Sequence, residues 1–243
     1  MEILTFGGGK RQKECEKILR LCCSSEEKII LLPIPTTRDN KYITGTDCSI
    51  DEIASLVDGK TILAGYAIPE ALSNSGARVY DASLDEEFLL QNAILTAKGA
   101  LGYLLTHYDS DVSELNIGVV GYGRIGKEFL RLILLMGSSP TLYTTREGVA
   151  MELGRLGVRA EIPSKNTDLS DLDILVNTAP ARIFGDEQFP SSLDIIDLAS
   201  GNNFNPGKRL IKLRSIPDEM YPSTAGRIYA RHIIDFISGE KNL

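Results

Sequence analysis

"NIGVVGYGRIGKEFLRLIL", residues 116–134, decides how this chain is read. A short apolar run leads into Gly121-Tyr122-Gly123-Arg124-Ile125-Gly126, and an apolar-periodic segment follows it. Strand, glycine turn and helix stand in the order that G-x-G-x-x-G requires. The first glycine permits the tight turn, the second lets the backbone approach a pyrophosphate, and the third lets the helix pack close to the strand. The helix start then faces the phosphates with free N–H groups and the positive end of its dipole. Gly121, Gly123, Arg124, Ile125 and Gly126 are therefore expected to hold a dinucleotide. The bland alternative is a tight strand-to-helix turn that has lost its cofactor.

The next strand bears on which dinucleotide. NAD sites place an acid about 20 residues on, at the strand end, to hold the ribose 2′-hydroxyl. Here "TLYTTRE" ends in Thr144, Thr145 and Arg146, with Glu147 one step later. A guanidinium fork suits a 2′-phosphate. The expectation is NADP, with NAD less favoured; Glu147 bending back to the ribose is the competing reading. Two further strand ends should border the same crevice, since ligands in open α/β sheets bind outside the carboxyl ends of strands. These are Asn177, Thr178, Ala179 and Pro180 in "LVNTAP", and Leu198, Ala199 and Ser200 in "IIDLAS".

Working outward, strand and helix signals alternate nearly throughout, which predicts parallel sheets with helices on their faces. Before Asp85 the strands are "EILTF", "KIILLP", "KTILAG" and "RVYDA". Residues 85–108 turn helical, with apolar positions three and four apart. After residue 116 come "SPTLYTT", "RAEIP", "LDILVNTAP", "LDIIDLAS" and "LIKLRSI", then a last helix in "PSTAGRIYARHIIDFISG" with Ser223 as its N-cap and Gly239 as its stop. The expected fold is α/β: a Rossmann-type doubly wound parallel sheet plus a second, smaller flavodoxin-like α/β domain. Residues 1–88 with 222–243 form the smaller, substrate-side domain. Residues 89–221 carry the linking helix and the NADP-binding domain.

The chain has 243 residues and a formal net charge of −7, which argues against nucleic acid as a partner. No stretch reads as long or apolar enough to span a bilayer, the best run being the proline-broken "IILLPIP", and no signal peptide is read. The four cysteines, Cys15, Cys22, Cys23 and Cys48, lack metal-ligand spacing and fit reduced thiols in a cytoplasmic protein. No metal site is expected.

The first glycine turn, Gly7-Gly8-Gly9-Lys10-Arg11-Gln12, offers only half of the fingerprint, because Gln12 stands where the third glycine belongs. It reads either as a tight turn or as a carboxylate site on the substrate side.

The segments from about Phe88 to the C-terminus, "NAILTAKGALGYLLTHYD", "IGVVGYGRIGKEFLRLILLMGSSPTLYTTRE", "DILVNTAPARIF", "IIDLAS" and "PSTAGRIYARHI", resemble in order the A subunit of bacterial dipicolinate synthase. "FGGGKRQ" is also like the opening of that family. The resemblance implies two α/β domains with the C-terminal helix returning to the first. It also implies an NADP-linked oxidation in which a hydroxy-tetrahydrodipicolinate loses water and becomes dipicolinate, the small dicarboxylate of bacterial spores. A flavoprotein-like B subunit is the implied partner, and a homo-oligomer is expected. A cyclic dicarboxylate needs anion sites, for which Gly8, Lys10, Arg11, Thr96, Lys98, Arg182 and Thr224 are candidates, each with a competing surface or cap reading. No general base stands out; Lys98 and Tyr221 are the residues offered. The D-2-hydroxyacid dehydrogenase superfamily is a looser match. Its arginine after the "IIDLAS"-type strand is replaced by Ser200-Gly201, and His107 and His232 read as structural. A non-catalytic dinucleotide-binding sensor or assembly protein, and an NADP reductase of another small carboxylic acid, remain alternatives.

Overall fold

The computed structural model describes residues 2–66, 68–199, 204 and 209–240. The chain divides into two compact units, Met1–Asn92 with Pro217–Leu243, and Ala93–Ile216.

The first unit is built on four parallel strands: β1 (Glu2–Thr5), β2 (Lys28–Leu31), β3 (Thr61–Ala64) and β4 (Arg78–Asp81). All four segments are the ones the sequence marks. They are covered by α1 (Lys10–Cys22), α2 (Ile50–Ala54) and α3 (Glu70–Ser73). β2 shows why both faces need helices. Ile29 and Leu31 join one core with Cys15 and Leu19 of α1, while Ile30 and Leu32 join another with Ile50 and Ile53 of α2. Side chains alternate along a strand, so an unbroken apolar run puts greasy groups on both faces at once. The strand order is β1-β2-β3-β4, so β1 is an edge strand. A flavodoxin order, 2-1-3-4-5, would put it inside.

Two more helices close this unit. α7 (Ile216–Met220) leads into α8 (Pro222–Ile237), which packs along α1. Ser223 does not cap α8: Tyr221 is the N-cap and Pro222 the first helical residue. Proline suits that position because its missing N–H would have no intrahelical acceptor. Gly239 follows the helix with φ +82°, a stop of the expected kind.

The long helix α4 (Glu86–His107) starts in the first unit and continues in the second. It corrects one expectation, because it is long and apolar enough to cross a membrane by length and composition. Its charges are few and spread out, so no continuous apolar run betrayed it. Half of its most apolar stretch is buried inside the protein. Its start is pinned by Asp85, which is buried. One carboxylate oxygen accepts from the Phe88 N–H, the usual N-cap bond. The other meets His232 Nδ1 at 2.7 Å and accepts from the Tyr80 hydroxyl at 3.0 Å. One carboxylate thus ties β4, α4 and α8 together, and His232 is structural as read. His107 stacks on Tyr103 near the end of α4.

The second unit holds six parallel strands: β5 (Ile117–Val120), β6 (Thr141–Tyr143), β7 (Arg159–Glu161), β8 (Ile174–Asn177), β9 (Asp194–Asp197) and β10 (Leu210–Lys212). Their order is β10-β9-β8-β5-β6-β7. That is the doubly wound order 3-2-1-4-5-6, reversing direction between β5 and β8. α5 (Arg124–Leu135) follows β5, and α6 (Glu147–Arg155) follows β6.

Replacing Asp85 with Ala removes the α4 cap and strands buried polar groups on Tyr80 and His232. We expect a loss of about 3 kcal/mol, read from the urea midpoint at unchanged slope.

Candidate functional site

The reversal between β5 and β8 puts the turn after β5 beside the turn after β8. Gly121 has φ +92°, a backbone state that side chains rarely adopt. A Cβ on Gly126 would lie 2.2 Å from the Gly121 carbonyl oxygen and 2.7 Å from Thr178 Oγ1. Only hydrogen fits there. A Cβ on Gly123 meets nothing within 4 Å. The first and third glycines are therefore demanded by the turn itself, whereas the second borders open space. These are the roles a pyrophosphate cradle assigns to them. Gly123 caps α5 without a side chain, and the first turn of α5 carries no acid. The N–H groups at this end face no carboxylate from their own helix.

Thr178 fastens the two turns. Its N–H and hydroxyl both donate to the Val120 carbonyl, at 2.9 and 2.8 Å. Ala179 packs against Gly121, and Pro180 is exposed beyond it. Asn177 is buried and donates to Asp197 Oδ1 at 2.7 Å and to the Ala179 carbonyl at 3.1 Å. Asp197, with no exposed surface, also pairs with Arg214 and accepts from the Ala199 N–H. This network fixes the ends of β8 and β9. Sequence reading had not singled out Arg214, because its partner lies 17 residues earlier on a neighbouring strand. Leu198 and Ala199 are buried, and Ser200 lies outside the described residues.

At the end of β6, Thr144 is buried and its hydroxyl accepts from the Arg146 N–H at 3.3 Å. Thr145 and Arg146 are exposed. Arg146 reaches back to the glycine turn, where its Nη2 donates to the Tyr122 carbonyl. Arg124 is exposed and Ile125 half-buried.

The expected substrate residues fall in both units. Lys98 is exposed on α4, close enough to Glu128 to help hold its carboxyl below the usual range, chiefly the work of the Arg131 hydrogen bond. Thr96 is buried on the same helix. Arg182 pairs with Asp186 and donates to the Phe184 carbonyl, so much of its fork is engaged inside the protein. Tyr221 is half-buried at the start of α8, and Thr224 Oγ1 accepts from Arg227 at 3.3 Å.

The first glycine turn is occupied from within. Asp218 of α7 accepts from the Arg11 N–H at 2.8 Å, and Glu219 pairs with Lys10 at 3.0 Å. The Arg11 guanidinium donates to Asn92, and burial holds its pKa below the ordinary arginine value. Gly8 is exposed and open. Gln12, in the place of a third glycine, donates to the Phe6 and Leu31 carbonyls at 2.6 and 3.0 Å. This side chain fills the space that close helix packing would need. Among the described residues no cluster of metal-ligating side chains is found.

The glycines separate fold from binding. Gly126→Ala should destabilise the second unit and abolish dinucleotide binding. Gly123→Ala should leave the melting temperature within about 2 °C yet weaken binding at least tenfold, because its methyl enters space a pyrophosphate would use. Thermal melts and calorimetric titration with NADP check both.

No family model matches the chain. The A subunit of dipicolinate synthase from Bacillus subtilis (strain 168) is 25% identical over 160 residues, 60% of this chain and 52% of that relative, so the match spans about half its length. The crystal structure of the A subunit of dipicolinate synthase from Bacillus halodurans superposes with a TM-score of 0.79 at 20% identity, covering 98% of this chain and 97% of that one. D-lactate dehydrogenase of Escherichia coli gives 0.58 at 13% identity, covering 99% and 98%. In sequence the chain is similar to the A subunit of the Bacillus subtilis dipicolinate synthase over part of its length, and in fold it resembles the A-subunit structure more closely than it resembles the D-lactate dehydrogenase.

Proposed function

We propose that this chain is an NADP-dependent oxidoreductase of the type formed by the A subunit of dipicolinate synthase. The observation that carries the reading is the β5 turn at the sheet reversal, with an open second glycine and an arginine where an NAD site would set an acid. Gly121, Gly123 and Gly126 with the start of α5 would hold the pyrophosphate. Thr144, Thr145 and Arg146 would meet the 2′-phosphate. Asn177 to Pro180, with Leu198 to Ser200, would border the nicotinamide. Bound NADP⁺ supplies a hydride acceptor.

The substrate is a hydroxy-tetrahydrodipicolinate-type ring. It loses water, and the dihydro product gives up a hydride and a proton to become dipicolinate. Among this chain's residues, cationic and N–H groups would orient the two carboxylates, drawn from Gly8, Lys10, Arg11, Thr96, Lys98, Arg182 and Thr224. Lys98 and Tyr221 are the candidates for carrying the proton. Elimination beside an imine asks little acid–base help, so a single lysine or tyrosine suffices. A flavoprotein-like B subunit completes the synthase in this reading, and the protein is a cytoplasmic homo-oligomer. All four cysteines are free thiols, which suits a reducing compartment.

The test combines the chain with a B subunit of proven competence, the tetrahydrodipicolinate precursor and NADP. NADPH and dipicolinate should appear together, and silence would overturn the reading. Arg146→Ala should cost about 1.5–3 kcal/mol of NADP binding while sparing NAD. An unchanged NADP affinity with weakened NAD would contradict the cofactor choice.

A further inference from the structure

Several exposed arginines of this acidic chain pair with an acid. Arg20 pairs with Glu16, Arg131 with Glu128, Arg159 with Glu161, Arg182 with Asp186 and Arg209 with Asp194. Two cations at the β5 turn do not. Lys127 and Arg146 are both exposed, and among the described residues neither has an acidic partner. Instead they converge on one ring. Lys127 Nζ lies 5.2 Å from the Tyr122 ring centroid, and the Arg146 guanidinium carbon lies 6.0 Å from it.

Each cation gains a modest attraction from the ring face. Arg146 is the better anchored of the two. Arg146 is held at its side chain by the Tyr122 carbonyl and at its N–H by Thr144. Lys127 is the fourth residue of α5, whose first turn supplies no acid. Cations that are in no ion pair can accept an external anion without first displacing a carboxylate. A fork already oriented also loses less freedom on binding.

We propose that Lys127, Tyr122 and Arg146 form one receptor for a phosphomonoester, the adenosine 2′-phosphate that distinguishes NADP from NAD. This rests on the NADP reading above and adds to it two residues that the strand-end pattern does not reveal. Arg146 supplies the fork, Lys127 a second charge, and the Tyr122 ring sets their spacing. Lys127 is then a specificity residue rather than a surface lysine.

The pyrophosphate is the other anion these cations could serve. It is common to both dinucleotides, so comparing the two separates the cases. Calorimetric titrations would compare NADP with NAD, and adenosine 2′,5′-bisphosphate with 5′-AMP, on the wild type, Lys127→Met, Lys127→Arg and Tyr122→Leu. Lys127→Met should weaken NADP and the bisphosphate about tenfold and NAD and AMP less than about twofold. Lys127→Arg should retain the preference, and Tyr122→Leu should lose part of it. Added salt should weaken NADP more steeply than NAD in the wild type. Equal losses for NADP and NAD in Lys127→Met would overturn the proposal in favour of pyrophosphate contacts. A wild type that prefers NADP, with the preference intact in Lys127→Met, would overturn it while sparing the NADP reading. A wild type that binds neither dinucleotide would overturn both.

Discussion

The second unit depends on a contact that only hydrogen permits. At residue 126 any Cβ would press to 2.2 Å from the Gly121 carbonyl oxygen and 2.7 Å from Thr178. Because that contact is made, α5 starts directly against the end of β5, and the Thr178 hydroxyl can bind the Val120 carbonyl across to β8. The reversal of the sheet between β5 and β8 is thereby closed at its base and left open above Gly123. The buried Asn177–Asp197–Arg214 network extends the same rigidity along the ends of β8 and β9. Stiff backbone around an open glycine suits a ligand that is bound by N–H groups rather than by long side chains.

The two glycine turns of this chain show how alike such turns look in sequence and how differently they behave. After β1, Gln12 spends its amide on the Phe6 and Leu31 carbonyls, and Asp218 covers the start of α1. The helix end that could have held a substrate carboxylate already holds one of the protein's own. The first turn of α5, like that of α1, carries no acid of its own, but a Cβ at Gly123 would meet only open space, whereas one at Gly9 would meet Asp218. Lys10 and Arg11 remain proposals for the substrate side, but they begin with partners that a ligand would have to replace.

Much of the fold was legible because its signals are local. Every strand lies in a segment marked by apolar residues and bounded by turn formers, and β2 with apolar residues at consecutive positions pointed to a sheet covered on both faces. The glycine spacing at residues 121–126 located the turn at the reversal without a structure. Less legible were contacts between residues far apart in the chain. Asp218 reaches Arg11 across 207 positions, and His232 reaches Asp85 across 147. No periodicity encodes such pairs. The cap of α8 was misplaced by reading Ser223 for its hydroxyl, when Pro222 had already fixed the first helical residue. Tyr122 was passed over because it is filler in the motif and Lys127 because it lies just beyond it, while the ring contacts that bring each near the other elements exist only in three dimensions.

The central claim is that the turn after β5 would hold a dinucleotide, while the turn after β1 begins with Lys10 and the Arg11 N–H already engaged by Glu219 and Asp218. Amide hydrogen exchange, followed by mass spectrometry with and without saturating NADP, tests it most directly. The account predicts slowed exchange at residues 121–127 and 144–147 and no change at residues 7–12. Protection at residues 7–12, with residues 121–127 unaffected, would contradict it.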